Sequence, residues 1–144
     1  MLKNQIIQFI IMLIVGIAFN PMNALVYKIK DLYLSLTLIY GGLLMAANMI
    51  WAHQIIHYLS MGHFNKTLFF IGIFLSIAIT IILLRKQLFV NDEQWLKRMI
   101  SHHSTALTTS HKIYNRTTNQ KVKKLANDII ETQEREIKLM KDLL

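Results

Sequence analysis

Charge divides this chain into two unequal blocks, and that division constrains its fold more than any other feature. Residues 1–84 carry only Lys3, Lys28, Lys30, Asp31 and Lys66, whereas residues 85–144 carry nineteen charges, twelve basic and seven acidic. The first block has the composition of a bilayer-embedded segment and the second that of a solvated one. With 144 residues, the chain has room for one small unit and not for two independent cores. The formal charge of +8 comes from basic residues mixed with acids around the apolar runs. That distribution suits a lipid bilayer with anionic headgroups; there is no nucleic-acid-binding motif, so nucleic acid is not an expected partner. The chain has no cysteine, which excludes disulfides, thiolate metal sites, iron–sulfur clusters and thiol catalysis together.

Three apolar runs lie in a membrane domain covering 1–90, with spans near 5–20, 32–58 and 67–86. The first run is interrupted only by Gln8 and ends at Asn20-Pro21. It reads as a retained helix that just spans or continues, kinked, toward Tyr27, with a cleaved signal peptide as the rival reading. The second run, 32–58, contains no Asp, Glu, Lys or Arg, and its Tyr33, Trp51 and Tyr58 lie toward the ends, where aromatic residues meet the membrane interface. Asn48, near midspan, is expected to hydrogen-bond to a neighbouring helix. The short link 60–66 makes the second and third spans antiparallel neighbours. Lys28, Lys30, Arg85 and Lys86 flank one side of the membrane against Lys3 and Lys66 on the other. The positive-inside count therefore expects a plasma or inner membrane protein with a cytoplasmic C-terminal part.

Beyond Val90 the period becomes helical. Asn91 is placed to cap a helix with Gln94 as its third residue. A stripe follows at Leu96, Met99, Ile100, Ala106, Leu107, Ile113 and Tyr114. Thr118 or Asn119 caps a second helix, whose stripe is Val122, Leu125, Ala126, Ile129, Ile130, Ile137, Met140 and Leu144. Residues 91–144 thus form an antiparallel helical hairpin. Folded about Thr118, it sets His103 level with Gln133 and Leu96 level with Met140. A helix pair of this length buries little apolar surface, and its stripes are wide, so a homodimer that makes a four-helix bundle is expected.

The spacing Trp95-x3-Met99-Ile100-x-His102-His103-x2-Ala106, followed by Leu125-Ala126-x2-Ile129-Ile130-x2-Gln133-x2-Glu136-Ile137-x2-Met140, resembles the family called domain of unknown function 305. The resemblance covers about the last fifty residues. It implies an all-α, ferritin-like bundle, and some members are secreted or periplasmic proteins that bind copper or silver through His and Met. Carried over by position, the motif falls on Met99, His102, His103, Gln133, Glu136 and Met140. A Met common near the end of the motif helix is absent from 106–110, although His111 follows, and the family's Met-rich segments are missing.

Two readings of His103 stand side by side. In one it hydrogen-bonds Gln133 as an ordinary core imidazole. In the other it binds a metal with Met99 and His102 or Glu136, and Met140 completes the candidate set. Adjacent helical residues point about 100° apart, so His102 and His103 share one ion only with help from another helix or chain. A second candidate set winds along the second span at steps of four: Met45, Met49, His53, His57 and Met61, with His63 beyond it. Thioethers and imidazoles suit Cu(I) or Ag(I). Methionine is equally an ordinary packing residue, and histidine near a span end an interfacial one. By topology this second set exits on the side opposite His102 and His103.

No nucleophile–base set, phosphate loop or Glu-x-x-His pair is present, so no enzymatic activity is expected. The expected function is handling of a copper-type transition metal by a membrane-anchored His/Met module. The alternative is a non-enzymatic interaction or assembly protein with structural histidines.

Overall fold

The computed structural model describes residues 2–144, and side chains from Lys3 onward. The described residues are helical, with α1 at Leu2–Ala18, α2 at Pro21–Ala24, α3 at Leu36–Met61, α4 at Lys66–Ala78, α5 at Asp92–Arg116 and α6 at Gln120–Asp142. A 3₁₀ turn covers Ile29–Asp31, and α4 continues as a wider π-helical stretch over Ile79–Arg85. Among the described residues, three stretches are long and apolar enough to cross a membrane: Lys3–Ala24, Leu36–Met61 and Lys66–Arg85.

The chain divides into two compact units. The first comprises Met1–Asn20 and Leu36–Phe89, the second Pro21–Ser35 and Val90–Leu144. The connector between the first two apolar stretches therefore packs with the C-terminal hairpin, a placement that nothing in the hydropathy of 21–35 announces. Residues 32–35, apolar enough to read as the start of a span, are not helical.

In the first unit, α3 packs against both α1 and α4, and small residues set the approach. A Cβ on Gly42 would stand 2.7 Å from Ile17 Cγ1, and one on Gly16 would stand 3.1 Å from the Gly42 Cα. On the other face of α3, a Cβ on Gly72 would lie 2.8 Å from the Trp51 backbone nitrogen. Helices in lipid gain no hydrophobic drive from association, so close backbone approach and dispersion hold such crossings. Asn48 does not reach a neighbouring helix as expected; its Oδ1 accepts from Trp51 Nε1 at 3.1 Å, one turn along the same helix. Gly62 ends α3 at φ 71° and donates its N–H to Tyr58 O at 2.9 Å, a left-handed helix stop that glycine adopts without strain.

After the π-helical stretch the chain turns through Gln87 and Phe89, both left-handed at φ 49° and 59°. Gln87 is fastened there, accepting from Thr37 Oγ1 at 2.9 Å and donating to Leu84 O at 2.6 Å.

In the second unit, Asn91 caps α5 through Gln94 N at 3.0 Å, and Asn119 caps α6 through Lys121 N and Val122 N. These caps leave 117–119 as the connection, and α5 and α6 pack along their length about Leu96, Ile100, Leu107, Ile130, Ile137 and Met140. Tyr33 from the connector and Met99 and Tyr114 from α5 complete the core.

Candidate functional site

Four of the family-motif positions meet at the open end of the hairpin. Met99 and His103 lie one turn apart on α5, and Glu136 and Met140 one turn apart on α6. With Trp95, Leu96, Leu139 and Leu143 they line a groove of about 260 Å³. The His103 Nδ1 lies 2.9 Å from Met99 O, and its Nε2 lies 2.9 Å from Glu136 Oε2. A carbonyl only accepts, so Nδ1 carries a proton; the Nε2 contact with the carboxyl then needs one more proton, on either partner.

This is not the register that a simple fold about Thr118 gives. His103 meets Glu136 and not Gln133, whose Oε1 is buried without a hydrogen-bond partner. Helical side chains lean toward their own N-terminus. In an antiparallel pair His103 therefore leans toward the open end while Glu136 leans back toward the turn, and the two meet about one turn beyond level.

His102 is exposed and does not line the groove; its ring centroid lies 6.0 Å from that of His103, at 64°. Desolvation of its ring, then the charges of Arg98 and His103, lower its pKa below the ordinary histidine value. It presents a neutral imidazole at pH 7. Among the described residues, no three His, Asp or Glu side chains are grouped so as to hold a metal ion. Any ion in this groove would depend on the thioethers of Met99 and Met140 beside His103.

The second candidate set does not form one line. Met45 packs against Gly16 on α1, Met49 adjoins Gln5, Gln8 and Phe9 on the same helix, and Met61 is exposed. His53 and His57 instead join His63 around a separate cavity of about 420 Å³.

What the sequence leaves unmarked is the way 21–35 is held to α5. Asp31 is 1% exposed; its carboxylate accepts from Ser104 Oγ at 2.9 Å and pairs with the Lys141 ammonium. Its carbonyl accepts from Ser101 Oγ at 2.9 Å, and its N–H donates to Lys28 O at 2.8 Å. The same two serine oxygens accept from the connector's backbone, Ser104 from Tyr27 N at 3.0 Å and Ser101 from Tyr33 N at 3.0 Å. Tyr27 also stacks on His111, with centroids 4.8 Å apart. The one signal available beforehand is that Asp31 is the sole acid among the first 84 residues.

Residues 84–144 match a family described as "Domain of unknown function (DUF305)". Over 142 residues the chain is 38% identical to "Uncharacterized protein L153" of Acanthamoeba polyphaga mimivirus, covering 99% of this chain and 92% of that protein. No solved structure matches. With that identity running over nearly the whole length of both chains, the chain belongs to the same family as the mimivirus protein.

Proposed function

We propose that the hairpin is a membrane-anchored site for a soft monovalent metal ion, Cu(I) or Ag(I). His103 Nε2 and the sulfurs of Met99 and Met140 are its donors, and Glu136 balances the charge. The observation that carries this reading is the convergence of those four side chains on one groove. The Met99 carbonyl fixes His103 as the Nδ1–H tautomer and turns Nε2 to Glu136, the arrangement by which proteins orient a ligating imidazole. Metal at Nε2 would replace the proton shared with Glu136, so affinity rises with pH. His102, exposed outside the groove, is not in the proposed donor set.

The test is competition for Cu(I) against a chromophoric chelator, using the full chain in detergent. Met99→Leu conserves volume while removing sulfur, and His103→Ala removes the imidazole. Loss of one ligand is expected to weaken binding at least tenfold, about 1.4 kcal/mol. Unchanged affinity in both variants would exclude the groove.

The proposed assembly is a homodimer whose two hairpins form a ferritin-like four-helix bundle. Val122, Leu125 and Ile129 lie on α6 at spacings of three and four; Leu139 follows ten residues on, and Leu143 caps the helix. Ile129 is half-buried and the others are exposed. The run Val122, Leu125 and Ile129 has the period of a coiled-coil contact and, unlike Leu139 and Leu143, which border the groove, lies apart from the buried residues that face α5. It equally supports the second reading, in which the hairpin is an assembly module and the His103–Glu136 contact is structural.

The proposed orientation has the hairpin on the cytoplasmic side, a reading supported by the basic residues flanking the apolar stretches. Because the chain has no cysteine, Thr118→Cys in the exposed connection gives a unique thiol. It is expected to react with an impermeant maleimide only after cells are opened; labelling of intact cells reverses the orientation.

A further inference from the structure

We infer a second metal site, for a borderline divalent ion such as Zn(II) or Cu(II), formed by His53, His57 and His63 at the end of α3. His53 and His57 are four residues apart on one helix, so their rings lie on nearly one face, with centroids 5.9 Å apart. The loop after α3 brings His63 to within 6.1 Å of His57. All three line a cavity of about 420 Å³, together with Gln54 and Asn65.

The hydrogen bonds prepare the rings for ligation. His57 Nδ1 donates to His63 O at 3.1 Å, and His63 Nδ1 donates to Met61 O at 2.9 Å. Both imidazoles therefore keep the Nε2 lone pair unprotonated when neutral, the tautomer that a backbone carbonyl imposes on a ligating histidine. The His53 Nδ1 is buried without a hydrogen-bond partner, and an ion would satisfy it.

As they stand the three rings are spread too widely to hold an ion, so the site forms only when binding draws them inward by side-chain rotation. His63, being exposed on the loop, has the most freedom to move. Lys66 also lines the cavity, but it is exposed, and its flexible stem lets the ammonium turn into water. Three imidazoles with no sulfur select a harder ion than the hairpin groove does. The two sites therefore differ in both residues and metal class.

The test uses Cu(II) with the full chain in detergent, in a His102→Ala/His103→Ala background that removes the hairpin imidazoles. We expect one Cu(II) per chain, with nitrogen hyperfine structure from coordinated imidazole in its paramagnetic resonance spectrum. His57→Gln and His63→Gln should each weaken binding at least tenfold, and Met61→Leu should leave it unchanged. Circular dichroism identifies any variant that has lost its helices. The spectrum of the folded background protein decides the matter without them. Absence of nitrogen-coordinated Cu(II) there, or undiminished affinity in a folded His57→Gln/His63→Gln double variant, overturns the site. Neither outcome bears on Cu(I) binding in the hairpin, whose donors lie elsewhere.

Discussion

Lys141→Met is expected to destabilise the hairpin unit by about 3–5 kcal/mol, the usual cost of removing one partner from a buried ion pair. The asymmetry of this pair makes the result diagnostic. The Asp31 side chain is 2% exposed and the Lys141 side chain 27%. Without the ammonium, the carboxylate keeps the Ser104 hydroxyl but cannot recover water. Without the carboxylate, the ammonium can. Asp31→Asn should therefore cost less than Lys141→Met, because the amide oxygen still accepts from Ser104 Oγ and the lysine rehydrates. Adding Asp31→Asn to Lys141→Met should restore part of the loss, since the double variant no longer buries an unpaired charge. Thermal unfolding of the detergent-purified chain, followed by circular dichroism, measures all three. Equal losses in the two single variants would mean that burial of Asp31 does not govern the pair.

In the other unit, Gly72→Leu is expected to be the most damaging single change. Even the first carbon of a new side chain would stand 2.8 Å from the Trp51 backbone nitrogen and 3.0 Å from its Cβ. Neither atom can be moved by a change of rotamer, so α3 and α4 must separate along the crossing. Overpacking of a fitted interface by small-to-large changes costs about 1–3 kcal/mol, occasionally more. Gly72→Ala should fall within that range and Gly72→Leu above it. The control lies on α3: a Cβ on Gly41 would find only Asn20 Nδ2, at 3.9 Å. Gly41→Ala should leave the melting temperature nearly unchanged or raise it slightly, because alanine favours helix over glycine. Comparable losses at 72 and 41 would show that helix separation is not what these glycines control.

The parts of the fold that depend on periodicity were legible in the sequence. Runs without charge gave stretches able to span a membrane, and Asn91 and Asn119 marked helix starts because a short acceptor side chain satisfies free N–H groups there. The groove residues Met99, His103, Glu136 and Met140 were legible too, through the spacing of a family motif. Their pairing was not, because a linear count ignores the lean of helical side chains, which carries His103 past Gln133 to Glu136. The anchoring of 21–35 was unmarked, apart from the lone acid Asp31, for a different reason. Apart from the Ser104 bond to the Asp31 carboxylate, Ser101 and Ser104 act on backbone groups of the connector, and backbone groups are the same whatever residue carries them. The π-helical stretch at Ile79–Arg85 left no mark either, since its uniformly apolar side chains suit either helical winding.

Asp31 and Lys141 are 110 residues apart in the chain, and this separation has a consequence for synthesis. At about 5–20 residues per second, Asp31 leaves the ribosome roughly 5–20 s before its partner does. Ser101 and Ser104 follow Asp31 by 70 and 73 residues, and the ammonium arrives only at the end of that delay; until then the carboxylate lacks its full set of partners and must stay hydrated. The segment around it can therefore settle only after the hairpin has been made, although the apolar stretches on either side are already available to the membrane. A ribosome stalled within the last helix would leave a chain with its apolar stretches made and the loop around Asp31 unsheathed. Such a chain would be distinguishable by protease from one whose loop has closed.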